Sequence, residues 1–330
     1  MTAWHASLRG AGVRRHQITA AATLLVWCLI PASLAFAITD RFADSVFALA
    51  AVQALYAASW DLLGGVSGQL SLGHALHFGC GAYLTAILAG LLRLPPVPAL
   101  AAAAAGGVLL GALQGMLTRH LRPAFLAVVT LALAECGHEL GGMLQVPWPG
   151  GLVFGGEGGI PSPLFPANEF GAARLAAVVL IAGVIGFVWV ARSNLGLAMR
   201  TASADPQAAA ISGIDVGRVR LIAFVLSGAG AGFAGGLIAG FAGRASPSML
   251  SLDTSLFALA AAVLGRSGTI LGPAAAAYIL TAALQWVELS DPLRLTLYGV
   301  ILAAAGLAAP ESTARFGTFL FRPFRHAGLG

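Results

Sequence analysis

The sequence predicts an all-α polytopic membrane protein, and three observations carry that prediction. Hydrophobic residues make up 58% of the 330 positions and charged residues only 9%, far less charge than a soluble surface needs. Mean hydropathy is +0.87. Apolar runs of roughly 20 residues, each enough to cross about 30 Å of hydrocarbon, recur along the whole chain. They point to a single membrane-embedded unit of about ten transmembrane helices, with a broken or re-entrant segment among them.

Taken in order, the spans fall near 18–38, 46–63, 70–92, 97–117, 123–143, 174–191, 221–242, 252–265, 270–288 and 293–309. The run at 18–38 follows Arg9, Arg14 and Arg15 like a signal peptide. It is longer than an ordinary signal core, and is read as a retained first helix. The run at 252–265 is shorter than a full crossing, which suggests tilt, a broken helix or a hairpin. A re-entrant element near 64–80 or 252–265 would change the span count without moving the termini.

All 18 basic residues are arginine, and their distribution sets the orientation. With the N-terminus inside, 13 fall on the cytoplasmic side and five, Arg41, Arg93, Arg174, Arg244 and Arg294, outside. That asymmetry follows the positive-inside rule and places both termini in the cytoplasm. The expected organisation is a cytoplasmic segment at 1–17, one transmembrane domain at 18–309 and a basic cytoplasmic tail at 310–330. The stretch 145–173, rich in proline and glycine, reads as an ordered but irregular external loop. Residues 193–220 form a cytoplasmic segment of two short helices. In it Asp205 is a natural N-cap, Pro206 suits the first helical position and Gly213 suits the end.

Helix packing is written in glycine. Gly228, Gly232, Gly236 and Gly240 recur every four residues, as do Gly107, Gly111 and Gly115, making flat faces on which backbones approach closely.

Chemistry-bearing residues are few. The absence of lysine removes any P-loop, whose lysine reaches the phosphates of ATP. ATP-driven work must therefore come from a partner. Cys28, Cys80 and Cys136 show neither disulfide nor thiolate-metal spacing. Glu135, His138 and Glu139 share one helical face but lack the further ligands a metal site needs. No metal, cofactor or catalytic residue is expected, and no nucleic-acid partner. Glu135, near the middle of its span, is a candidate for a transport path, since ionisable groups at membrane depth face a bundle interior or a wet cavity.

The most informative run is Gly64-Gly65-Val66-Ser67-Gly68-Gln69-Leu70-Ser71-Leu72-Gly73-His74. Irregular backbone at membrane depth must be buried in protein or line water. Two readings follow: a conduit formed around Gln69, Ser71, Gly73 and His74, or a Gly-x-Ser-Gly intramembrane protease site with Ser67 as nucleophile. A Ser67 nucleophile would need a base such as His74, His77 or His138 within hydrogen-bond reach. Asp61, just before this run, suits a cap of the following turn or a bond across helices.

With these residues in order, the chain resembles the inner-membrane permeases of bacterial branched-chain amino acid ABC importers, of the LivM-like type within the LivH/LivM and ribose-permease group. The resemblance rests on Asp61-Leu62-Leu63-Gly64 through Gly68-Gln69-Leu70-Ser71-Leu72-Gly73-His74, then Phe78-Gly79 and Gly81-Ala82-Tyr83. It continues through 125–132, Gly155-Gly156-Glu157-Gly158-Gly159-Ile160-Pro161, Gly196 to Arg200, Ala208-Ala209, Gly213-Ile214 and Gly268-Thr269-Ile270-Leu271-Gly272-Pro273. It departs at Leu197, Ser203, Ala204 and Pro206, where charged or polar residues are frequent, at Arg266 for a common glycine, and at Phe154 for a common threonine.

The resemblance implies a multi-pass permease of the bacterial inner membrane, surrounded by lipid. It would pair with a homologous second permease, two cytoplasmic ATP-binding subunits and a periplasmic substrate-binding protein. Branched-chain or related amino acids would pass by alternating access along Gln69, Ser71, Gly73, His74 and Glu135. Gly196, Arg200, Asp205 and Gly213 would couple the path to the ATPases. The alternatives are the rhomboid-like protease using Ser67 and an ion-coupled secondary transporter.

Overall fold

The computed structural model describes residues 40–119, 121, 123–148, 152–165, 172–287 and 291–308. The first expected span at 18–38, the segment 1–17 and the tail 310–330 lie outside the described residues. Among the described residues, nine apolar helices correspond to the second through tenth expected spans. They are α1 (Arg41–Asp61), α2 (Ala75–Leu91), α3 (Pro96–Thr118), α4 (Pro123–Met143), α5 (Ala172–Arg192), α8 (Val216–Ala242), α9 (Leu252–Leu264), α10 (Leu271–Val287) and α11 (Asp291–Ala308). Two short helices, α6 (Asn194–Ala204) and α7 (Pro206–Ile211), link α5 to α8. The protein is an all-α polytopic membrane protein.

The bundle is built around α1, which with its π-helical extension at Leu62–Val66 is the most enclosed of the long apolar helices. Its alanine faces let α5, α8 and α10 pack around it, and Tyr56 and Trp60 are fully buried there. Each end of α1 also carries a carboxylate bonded to a distant segment. At one end Asp44 accepts from the backbone N–H groups of Ala172 and Ala173 at the start of α5. At the other, Asp61 accepts from the segment that opens α10. A helix N-terminus presents unpaired N–H groups and a partial positive charge, so a carboxylate there is doubly favourable.

The glycines mark the closest helix contacts. A Cβ at Gly107 would run into the Gly228 carbonyl, one at Gly81 into the Gly232 carbonyl and one at Gly235 into the Phe78 carbonyl. α8 therefore lies backbone to backbone with α3 on one side and α2 on the other. Gly236 meets Thr85 and Leu100, and Gly240 meets Leu164 and Phe165.

The structure differs from expectation in two places. The loop expected to be irregular contains an antiparallel pair, β1 (Gln145–Trp148) with β2 (Leu152–Gly155), and a further strand, β3 (Ile160–Pro161), that pairs antiparallel with β4 (Arg244–Ala245) beyond α8. Gly159, at φ +73° with its ideal Cβ position on the Ala245 carbonyl, lets the two segments of the second pair approach. The aromatic edge contact of Trp148 with Phe154, with ring centroids 5.4 Å apart, holds the first pair. The span expected from 70 begins instead at Ala75, because 67–73 is not helical.

The short span has a geometric cause. Between α8 and α9 the chain turns back along α2, and Leu250 seats against Gly79 of α2 and Gly137 and Gly141 of α4. Gly79 lies 12 residues, on the order of 18 Å, from the Leu91 end of α2. α9 thus starts within the bundle and needs only 13 residues to reach the end where α6 and α7 lie.

Replacing Gly107 with valine should force α3 and α8 apart and destabilise the protein by about 3 kcal/mol. Gly186→Val, where nothing lies within 4 Å, should be tolerated. Heating each variant in detergent and following the monodisperse fraction would compare them directly.

Candidate functional site

The α1 helix loses its regular geometry where the sequence becomes Leu62-Leu63-Gly64-Gly65-Val66. The π turn widens the helix, and the backbone N–H groups of Ser67 and Gln69 bond back to the carbonyls of Leu62 and Leu63 at 3.1 and 3.0 Å. Gly68 then turns the chain at φ +69°. Residues 69–73 run without regular structure until α2 starts at Ala75.

Such backbone persists in an apolar interior only if its polar groups find partners, and here other helices supply them. The indole Nε1 of Trp60 donates to the Ser71 carbonyl at 2.9 Å. Thr130 of α4 accepts from the Leu72 N–H at 3.2 Å, and Ser255 of α9 accepts from the Ala75 N–H at 3.1 Å. Gln69 donates to Ser67 Oγ at 2.8 Å and to the Arg220 carbonyl of α8 at 3.2 Å. Gly73 is packed so closely on Thr130 that a Cβ would overlap its carbonyl.

Asp61 ties this break to the α9–α10 turn. Its Oδ1 accepts from Ser267 Oγ at 2.9 Å and Gly268 N at 2.8 Å, and its Oδ2 from Ile270 N at 2.8 Å. The carboxylate is fully buried and bonds across helices. Gly65 makes the approach possible, since a Cβ there would strike Asp61 Oδ1 and the Gly268 nitrogen.

His74 is held differently. Its ring stacks on Tyr56 with centroids 5.3 Å apart, and its Nε2 lies 3.1 Å from Ser59 Oγ. The Ser59 hydroxyl already donates to the Tyr56 carbonyl at 2.7 Å. Ser59 Oγ therefore accepts a hydrogen bond from His74 Nε2–H, which assigns the tautomer. A serine whose proton points at a carbonyl is not being deprotonated by the imidazole. Ser67, for its part, accepts from Gln69, and its bonded partner is not a histidine.

The expected path residues thus separate into two groups. Gln69, Ser71, Gly73 and His74 come together in the break, all buried within the chain. Glu135 sits apart on α4, partly exposed, five residues beyond Thr130, about 7.5 Å along the helix. α4 is the least enclosed of the long apolar helices, with Phe125, Val128, Leu140 and Met143 exposed on it. His138 Nδ1 lies 2.9 Å from the Pro247 carbonyl. No group of three potential metal ligands forms among the described residues.

The residues proposed for coupling lie at the Asp61 end. Ser193 caps α6 and Asp205 caps α7, accepting from Gln207 N and Ala208 N at 2.9 and 3.0 Å. Gly196 packs on the carbonyls of Val190 and Ala191, and Arg200 NH2 donates to the Gly268 carbonyl at 3.4 Å. α7 ends at Ile211, and Gly213 turns the chain at φ +84° beyond it. Sequence reasoning missed Ser59, Thr130, Ser255 and Ser267; Ser59, Thr130 and Ser267 had the advance signal of lying inside or beside matching motifs, and Ser255 had none.

Comparison with known proteins joins these two regions. The family of branched-chain amino acid transport system permease components matches residues 42–306. The chain belongs to this family. It is 30% identical over 276 residues to the high-affinity branched-chain amino acid transport system permease protein LivM of Escherichia coli strain K12, covering 75% of this chain and 64% of that protein. LivM of Salmonella typhimurium is 29% identical over the same extent. The autoinducer 2 import system permease protein LsrC of an Enterobacter species is 33% identical over 184 residues, 53% of this chain and 51% of that one. The chain thus spans about two thirds of the length of its LivM relatives. No solved structure matches it.

Asp61→Ala would strand the buried Ile270 N–H, at about 1–3 kcal/mol, and remove the acceptor of the partly buried Gly268 N–H and Ser267 hydroxyl. Asp61→Asn keeps one acceptor oxygen and should lose less. Thermal unfolding in detergent should rank wild type above Asn above Ala.

Proposed function

We propose that this chain is the permease subunit of a bacterial ABC importer that carries branched-chain or related amino acids across the inner membrane by alternating access. The family match over residues 42–306 carries the reading, because it takes in the break, the Asp61-bound turn and the α6–α7 segment together. A homologous second permease would face the exposed side of α4, a periplasmic binding protein would deliver solute at the strand-bearing end, and two ATP-binding subunits would dock at α6 and α7. Cytoplasmic placement of α6 and α7 follows from the arginine distribution.

Burial gives the expected path residues different tasks. Ser71, Gly73 and His74 shape the break from inside, and Gln69 fastens it to α8. Glu135 is the one open to a neighbour, on a helix whose outer face is apolar but for its acidic residues. A carboxylate at membrane depth needs a polar partner or water, and a solute path between two permeases provides both. Docking at α6 and α7 is supported by Leu197 and Ile211, 65% and 89% exposed. Apolar side chains so open on a segment outside the bilayer are available for a partner to cover.

The protein requires no catalytic serine under this reading. Ser67→Ala removes one hydrogen bond, worth about 1 kcal/mol, and uptake in reconstituted vesicles should stay close to wild type; abolition of activity would restore the protease alternative. Glu135→Gln should lower uptake about tenfold, equivalent to ~1.4 kcal/mol. Uptake driven by an ion gradient without ATP-binding subunits would overturn the proposal.

A further inference from the structure

The α6 helix presents one face outward and another to the break, and the inward face carries two contacts that docking does not need. Ser203 packs on Gly68: a Cβ at Gly68 would strike the Ser203 hydroxyl and lie 2.8 Å from its Cβ. One turn earlier, Arg200 NH2 donates to the Gly268 carbonyl. Met199 and Ala202, each one residue before a contact residue, are buried, so α6 is seated firmly on the bundle.

Both receiving residues are pivots. Gly68, at φ +69°, is the point where the chain leaves the π turn for the irregular stretch, and only glycine combines that conformation with room for Ser203. Gly268 lies in a turn where Arg266 and Ile270 adopt φ +67° and +63°. A β-branched residue rarely takes this conformation, and surrounding structure must hold it there. Asp61 does so, accepting from Ile270 N and from Gly268 N. The peptide groups flanking Gly268 are thus gripped from two sides, by Asp61 at its N–H and by Arg200 at its carbonyl.

We propose that Ser203 and Arg200 are positioning residues that deliver displacement of α6 to the helix break, Ser203 through Gly68 and Arg200 through the turn that Asp61 holds. The proposal rests on α6 and α7 being the ATPase docking site. Both residues make their contacts with the bundle, so they set how motion enters the permease rather than whether a motor binds.

The test uses the complete importer, with its ATP-binding subunits and binding protein, reconstituted in vesicles. Solute moved per ATP hydrolysed is measured for Ser203→Gly, Arg200→Gln and wild type, and retention of the ATP-binding subunits on affinity purification is measured in parallel. Each variant should retain those subunits and hydrolyse ATP near the wild-type rate, while solute per ATP falls roughly 2- to 30-fold. Arg200 is exposed, so its substitution keeps the test open should Ser203→Gly not fold. An unchanged ratio in Arg200→Gln and Ser203→Gly, or loss of the subunits from either, overturns the proposal. Ile211→Asp tests the docking reading separately: subunits retained as in wild type would remove that reading, whatever the ratio in the other two variants.

Discussion

Asp61 bonds three donors from Ser267, Gly268 and Ile270 at the point where α1 ceases to be an α-helix, and the arrangement of the surrounding helices depends on that contact. It fixes the start of α10, holds the α9–α10 turn in a conformation its own residues would not choose, and anchors the near side of the break. In a poorly polarisable interior a carboxylate bonded to three donors is strongly held, whereas the same group without them would be costly. Asp44 does similar work at the far end of α1. One helix therefore carries both acidic brackets between which α5 and α10 are set.

The break from Ser67 to His74 is a second consequence of membrane physics. Its residues are buried or partly buried within the chain, and Trp60, Thr130, Ser255 and Gln69 supply hydrogen bonds to or from it. Because those partners stand on α1, α4 and α9 and reach α8, the break registers four helices at once. α4 is tied to it by Thr130 and to the chain beyond α8 by the Leu250 seat and His138, but has little other cover. This combination of a well-fastened inner edge and an open outer face suits a helix that lines a path shared with another subunit.

Much of this was legible in the sequence. Nine spans fall within a few residues of their helices because apolar length and glycine periodicity report lipid and close packing directly. Asp205 and Pro206 announced the start of α7 for equally local reasons. What the sequence could not reveal was pairing over distance. Asp61 suggested a cap but not the turn it serves, and nothing in Thr130 or Ser255 marked them as partners of residues 58 and 180 positions away. Nor did the apolar run at 252–265 disclose that the preceding segment turns back into the bundle. The histidines illustrate the same limit: a glycine-rich run with nearby imidazoles fits a catalytic dyad or a packing motif, and the partners separate them, since Ser67 accepts from Gln69 while His74 bonds Ser59.

The donors for Asp61 stand 206 to 209 residues further along the chain, which gives the contact a place in time as well as in space. At about 5–20 residues per second of synthesis, roughly 10 to 40 seconds pass between the emergence of Asp61 and that of its partners. During that interval the end of α1 lacks the bonds that later bury it. The lock at this end of α1 is thus among the last to close as the protein is made, and the early helices must wait in the membrane for a turn near the end of the chain.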